Sequence, residues 1–271
     1  MDCRKEFPTS QKLPLNHPSH CCKILSTNPG RKSATTTSHN GGKGGCPHPA
    51  ADMRSMKIRV NGAELYYEVW GQGPAIILVH GNSETHEIFD VLIPSLAKDH
   101  TVYAVDSRCH GQSENTERIS YELMCDDMIQ FIKKLDIHKP ILYGFSDGGV
   151  IGLMIAMKEP DLLSKLISSG ADLYPTGMKL TLFPAMIKEA IHRDKVYRMM
   201  FKEPHIKARE LQKIKIPTVI LAGEHDAIRT SHTKKIARSI PGSILEILPG
   251  ETHTSYVISS EKLYPILKKY L

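Results

Sequence analysis

Pro140-Ile141-Leu142-Tyr143-Gly144-Phe145-Ser146-Asp147-Gly148-Gly149, residues 140–149, sets a short apolar run against a glycine-rich turn that carries one serine. The run Pro140–Tyr143 reads as a buried strand, and Gly148–Lys158 beyond the turn reads as a helix. A serine at such a corner stands on a sharp turn with its Oγ raised above the strand ends, where flanking glycines tolerate close backbone approach. The helix start adds free N–H groups and a positive dipole beside it. Gly-x-Ser-x-Gly alone is a loose pattern. A strand before it and a helix after it make Ser146 the candidate nucleophile rather than a residue of an ordinary glycine-rich turn.

Working outward, Ala75–Val79, Thr101–Val105 and Pro217–Leu221 are further runs dense in Ile, Leu and Val that end at Gly, Asp or His, as buried parallel strands do. Leu166–Ser169 and Ile244–Leu248 are candidates for two more. Lys57–Val60 and Glu64–Glu68, split by Asn61-Gly62, predict an antiparallel hairpin, because Asn-Gly accepts the positive φ of a tight turn. Amphipathic stretches at Glu87–Ala97, Tyr121–Leu135, Ser231–Arg238 and Glu261–Tyr270 fill the gaps with helices. Strands alternating with helices imply an α/β fold, a parallel sheet covered on both faces. The segment 172–215 breaks the alternation. Two helix-like pieces, Leu182–His192 and Lys195–Phe201, bounded by Pro175, Pro184 and Pro204, predict a short helical lid after the sixth strand, with an ordinary surface excursion as the alternative.

Residues 1–55 differ from the domain expected over 56–271. They are rich in Pro, Gly, Ser, Thr, Asn and His without apolar periodicity, so burial cannot offset the entropy of ordering them, and a disordered tail is expected. Of the formal net charge of +6, the tail holds most: eight basic residues stand there against three acidic ones. A near-neutral body without a basic stripe argues against nucleic acid as a partner. Four of the six cysteines (Cys3, Cys21, Cys22, Cys46) also lie in the tail near His17, His20, His39 and His48, but the spacings match no zinc frame, and no metal is expected. Cys109 and Cys125 read as reduced thiols. No stretch reaches the roughly 18 apolar residues of a membrane span, and no signal-peptide core opens the chain, so a cytoplasmic location without membrane association is expected.

A serine hydroxyl is too weak a nucleophile unaided and needs a base. His253, in Leu248-Pro249-Gly250-Glu251-Thr252-His253, follows the last expected strand and is the candidate. The base in turn needs an acid to fix its tautomer, and Asp226 in Gly223-Glu224-His225-Asp226 follows the preceding strand. Glu224 and Asp172 are competing acids. For the oxyanion, the backbone N–H of Asn82, in His80-Gly81-Asn82, can converge with that of Asp147, while His80 reads as a brace for its loop. The Asp147 carboxylate either faces solvent, as an acid favoured at a helix start, or faces the pocket, where it would favour a cationic acyl group such as an aminoacyl ester.

Together, His80-Gly81-Asn82, Asp106-Ser107-Arg108-Cys109-His110-Gly111-Gln112-Ser113, Gly144–Gly149, Gly223–Asp226 and His253 resemble the α/β-hydrolase family over about Lys57–Leu271. Within it the chain is similar to small serine carboxylesterases of the pimeloyl-carrier methyl esterase and valacyclovir-hydrolase kinds. The resemblance implies a mostly parallel eight-stranded sheet, no metal or organic cofactor, and hydrolysis of a small-molecule ester through an acyl-enzyme. Similar folds that open epoxides or remove halogen carry an aspartate at the elbow, so Ser146 disfavours those chemistries. Two alternatives stay open: the same triad acting as acyltransferase, thioesterase, amidase, carbon–carbon hydrolase or perhydrolase, and a non-enzymatic binding protein on the same fold.

Overall fold

Asn61 and Gly62, at φ of 45° and 76°, turn the chain between two antiparallel strands, β1 (Arg54–Val60) and β2 (Ala63–Trp70). The computed structural model describes residues 53–179, 181, 184, 187 and 195–271. The expected tail therefore lies outside the described residues except at its end, where β1 begins at Arg54, ahead of the expected Lys57, because its pairing with β2 runs on to Val69. Six more strands follow: β3 (Ala75–Val79), β4 (Thr101–Val105), β5 (Ile141–Phe145), β6 (Lys165–Ser169), β7 (Thr218–His225) and β8 (Ile244–Thr252). They form one sheet in the order β1-β2-β4-β3-β5-β6-β7-β8, in which β2 is antiparallel to its neighbours and β4 through β8 run parallel.

Alternation along the central strands separates two apolar layers. Ile77, Val79, Leu142, Leu166 and Ile220 face one cluster, and Ile76, Leu78, Tyr143, Ile167 and Leu221 face the other. The first layer is covered by α2 (Tyr121–Lys134), α3 (Asp147–Lys158) and α5 (Thr230–Ser239), the second by α1 (Ile93–Leu96) and α6 (Leu263–Leu267). The expected helix Glu87–Ala97 is broken into a 3-10 turn at His86–Phe89 and the single turn of α1, since Pro94 cannot continue a helix begun earlier. The last helix is likewise only Leu263–Leu267, with Pro265 inside it. Between β6 and β7 lie 3-10 turns at Pro175–Gly177 and Ala208–Lys213 and the helix α4 (Lys195–Lys202); the expected helix Leu182–His192 falls largely outside the described residues.

A buried ion pair ties the loop after β4 to α2. Arg108 donates to both Asp127 oxygens at 2.5 Å and to Asn61 O at 3.2 Å, which also anchors the hairpin. Removing one partner strands a charge out of water, so Asp127→Ala is expected to cost about 3–5 kcal/mol in urea denaturation. Asp126→Ala, which loses only a partly exposed bond to Lys158, is expected to cost less than about 1 kcal/mol.

Candidate active site

β5 ends at Phe145, and the chain turns at Ser146 with φ 53° and ψ −113°, a left-handed backbone that an L-residue adopts only at a cost. Two hydrogen bonds hold the strain: Ser146 N to Ser169 O at 2.7 Å and Gly148 N to His80 O at 3.1 Å. Glycine is required at 148, because a Cβ there would stand 2.1 Å from Val79 O. The start of α3 thereby lies directly over β3 and β5, with Ser146 at the strand ends.

The other two residues arrive together through strand pairing. β7 and β8 run further than their apolar runs predict, through an irregularity between Gly223 and His225, to a last pair His225↔Thr252. Only glycine fits at 223, where a Cβ would approach Glu251 O to 2.3 Å. The next residue on each strand is Asp226 and His253, so the ladder itself sets them side by side. His253 Nδ1 bonds Asp226 Oδ1 at 2.7 Å, and Ser146 Oγ bonds His253 Nε2 at 3.1 Å. Asp226, 1% exposed, also accepts from Ile228 N at 2.9 Å and Gly223 N at 3.2 Å. Burial alone would raise its pKa; the bond and charge of His253, with those two N–H groups, outweigh this and hold it below the ordinary 3.8. Neither competing acid takes this place: Glu224 accepts from Gly250 N at 2.9 Å, and the partner of His253 Nδ1 is Asp226, not Asp172.

On the oxyanion side, His80 braces its loop, donating from Nδ1 to Gly81 O at 2.7 Å and accepting from Ser107 N at 3.0 Å. Burial and the neighbouring His110 push it down to about 3, so the ring is neutral. Asn82 and Asp147 are joined by their side chains, Asn82 Nδ2 donating to Asp147 Oδ2 at 3.0 Å, which links the two backbones whose N–H groups are the oxyanion candidates. The Asp147 carboxylate, 5% exposed, is therefore not a solvated helix-start acid; it turns inward, and Tyr121 OH donates to its other oxygen at 2.6 Å.

Several neighbours carried no sequence signal. Tyr121 opens α2 behind the Ser120 cap, which marks a helix start but not a contact with α3. Glu84 accepts from Gly81 N at 2.9 Å, and burial raises it to about 7 against that bond. Phe145 packs its ring 4.9 Å from the His253 imidazole. A cavity of about 260 Å³ opens beside Ser146 and His253, walled by Met178, Met200 and Ile228 and by the acids Asp147, Asp172 and Glu203.

This fold and elbow place the chain in a family of known proteins. The profile describing the alpha/beta hydrolase fold matches residues 74–207, and the chain belongs to the α/β-hydrolase family. It is similar to the bifunctional epoxide hydrolase 2 of Rattus norvegicus, at 28% identity over 56% of this chain and 28% of that one. It thus spans less than a third of that relative's length. It is also similar to the serine hydrolase BPHL of Homo sapiens, at 25% identity over 81% of this chain and 87% of that one. The solved structure of an enol-lactonase from Burkholderia xenovorans LB400 shares the fold, with a TM-score of 0.66 at 20% identity over 79% of this chain and 97% of that one. Among the described residues no helix is long and apolar enough to cross a membrane.

The depressed Asp226 pKa makes stability depend on pH in a defined direction. An acid whose folded pKa lies below its unfolded value stabilises fully above about pH 5 and loses that contribution as pH falls through the folded value. The stability difference between wild type and Asp226→Asn, measured by urea denaturation, is therefore expected to be constant near neutrality and to shrink below about pH 4.

Proposed function

We propose that this chain is a serine hydrolase that cleaves a carboxylic ester or related acyl bond through an acyl-enzyme on Ser146. The observation that carries this reading is the unbroken line from Ser146 Oγ through His253, at 3.1 Å, to Asp226, at 2.7 Å. Ser146 Oγ attacks the acyl carbon while His253 Nε2 takes its proton; Asp226 holds the proton on Nδ1 and stabilises the imidazolium. The backbone N–H groups of Asn82 and Asp147 receive the oxyanion. His253 then returns the proton to the departing alkoxide; a water, deprotonated by the same nitrogen, attacks the acyl carbon, and His253 passes that proton to Ser146 Oγ as the acyl bond to it breaks.

Two features support the particulars. The epoxide hydrolase similarity does not extend this chemistry to epoxides, because ring opening in that manner uses a carboxylate at the elbow and this chain has a serine there. The small cavity suits a short acyl group rather than a long chain.

Steady-state turnover of short p-nitrophenyl esters tests the reading. Wild type is expected to hydrolyse them, with kcat down roughly a million-fold in Ser146→Ala and about ten-thousand-fold in Asp226→Asn, whose imidazole is held in the wrong tautomer. Unchanged turnover in Ser146→Ala, or no turnover by wild type together with no labelling of Ser146 by a fluorophosphonate, contradicts it and favours a binding protein on this fold.

A further inference from the structure

Asp172 is a carboxyl group on the cavity beside Ser146 that the proposed mechanism leaves idle and that no side chain among the described residues binds. It follows β6 at the wall of the cavity and is 8% exposed. Apart from its own N–H it has no hydrogen-bond partner among the described residues. The titratable groups around the same cavity are Asp147 from α3, Tyr121 from α2, Tyr197 from α4, Glu203 just beyond α4, and His253 after β8. No lysine or arginine stands among the described residues that line it.

The two aspartates differ in their donors. Burial raises Asp147 too, but Tyr121 on one oxygen and Asn82 on the other oppose that rise and favour its charged form. Asp172 has burial and the like charge of Asp147 against it, which push it up to about 8. The proton of the pair therefore sits on Asp172 at neutral pH. That proton has no acceptor among the described residues, and Asp172 lines the cavity beside Ser146 and His253, where a substrate oxygen can supply one.

Resting on the hydrolase reading, we propose that Asp172 reads the substrate: as a neutral carboxylic acid it donates a hydrogen bond to an uncharged oxygen on the acyl chain, so that short oxo- or alkoxy-acyl esters are preferred. The apolar walls of Met178, Met200 and Ile228 hold the methylene groups between that oxygen and the ester.

The test compares p-nitrophenyl levulinate with p-nitrophenyl valerate, which differ by one keto oxygen. Wild type is expected to favour levulinate about tenfold in kcat/KM, as one net hydrogen bond allows, and to lose the preference as pH rises through about 8. Asp172→Asn keeps a donor and is expected to keep the preference without that pH dependence; Asp172→Leu is expected to abolish it while still hydrolysing valerate. Equal turnover of both esters by wild type overturns the proposal. So does a preference for the p-nitrophenyl ester of valine that Asp172→Asn removes, which would mean a charged carboxylate binding an ammonium group.

Two readouts need no turnover. An acid with a raised folded pKa makes stability fall as pH rises from its unfolded value to its folded one, so Asp172→Asn should gain thermal stability over wild type between about pH 4 and pH 8. A gap that does not grow with pH overturns the proposal. Calorimetric binding of levulinamide against valeramide probes the same contact. Tighter levulinamide binding lost in Asp172→Leu supports it even if every ester resists hydrolysis, and equal binding of the two amides overturns it.

Discussion

The bond between His253 Nδ1 and Asp226 Oδ1 is the contact on which the site depends, and backbone pairing makes it. Neither residue lies on the apolar part of its strand. The ladder continues past that part to His225↔Thr252, so the next residue on each side emerges at the same height and within reach of the other. Gly223 is the concession that permits this, since any side chain there would collide with the backbone of β8. Ser146 is brought to the third corner by a different device, a strained turn clamped to β6 through Ser169 O and to the loop after β3 through His80 O. Three residues far apart in the chain meet because the parallel strands β5, β7 and β8 end on the same side of the sheet, with only β6 between the first two.

Environment sorts the carboxyl groups of the site by charge. Asp226 has a histidine and two N–H donors and stays ionised despite complete burial. Asp147 is raised by burial, but two side-chain donors work against that rise. Asp172 has neither, and Glu84 has one backbone N–H against burial; both are raised, to about 8 and about 7. The donors were distributed by the fold, not by residue type, and they separate groups fit to stabilise an imidazolium from groups fit to hold a proton.

Much of this was legible in the residues because it is local. Apolar runs of strand length and the glycine-flanked Ser146 announce themselves within a few positions, and all eight strands fall where such runs or the Asn61-Gly62 turn place them. Candidate residues at the ends of successive strands follow from the same alternation. What escaped depends on distant partners. The extension of β8 to Thr252 passes through Pro249-Gly250, residues that read as a loop until β7 is seen to pair with them. The division of His86–Leu96 into two short pieces reflects Pro94, together with the Asp106 carboxylate accepting from the His86 N–H at 2.8 Å. Tyr121 reaching Asp147 across two helices, and Glu224 turning to Gly250 rather than His253, are tertiary choices between equivalent side chains.

A covalent intermediate distinguishes this arrangement from any that binds an ester without attacking it. Acid quenching within the first turnovers of p-nitrophenyl acetate, followed by mass spectrometry of the digested protein, should find one acetyl group on the peptide containing Ser146. Continued hydrolysis with the acetyl group on another residue, or on none while product release is demonstrably slower than bond cleavage, would contradict it.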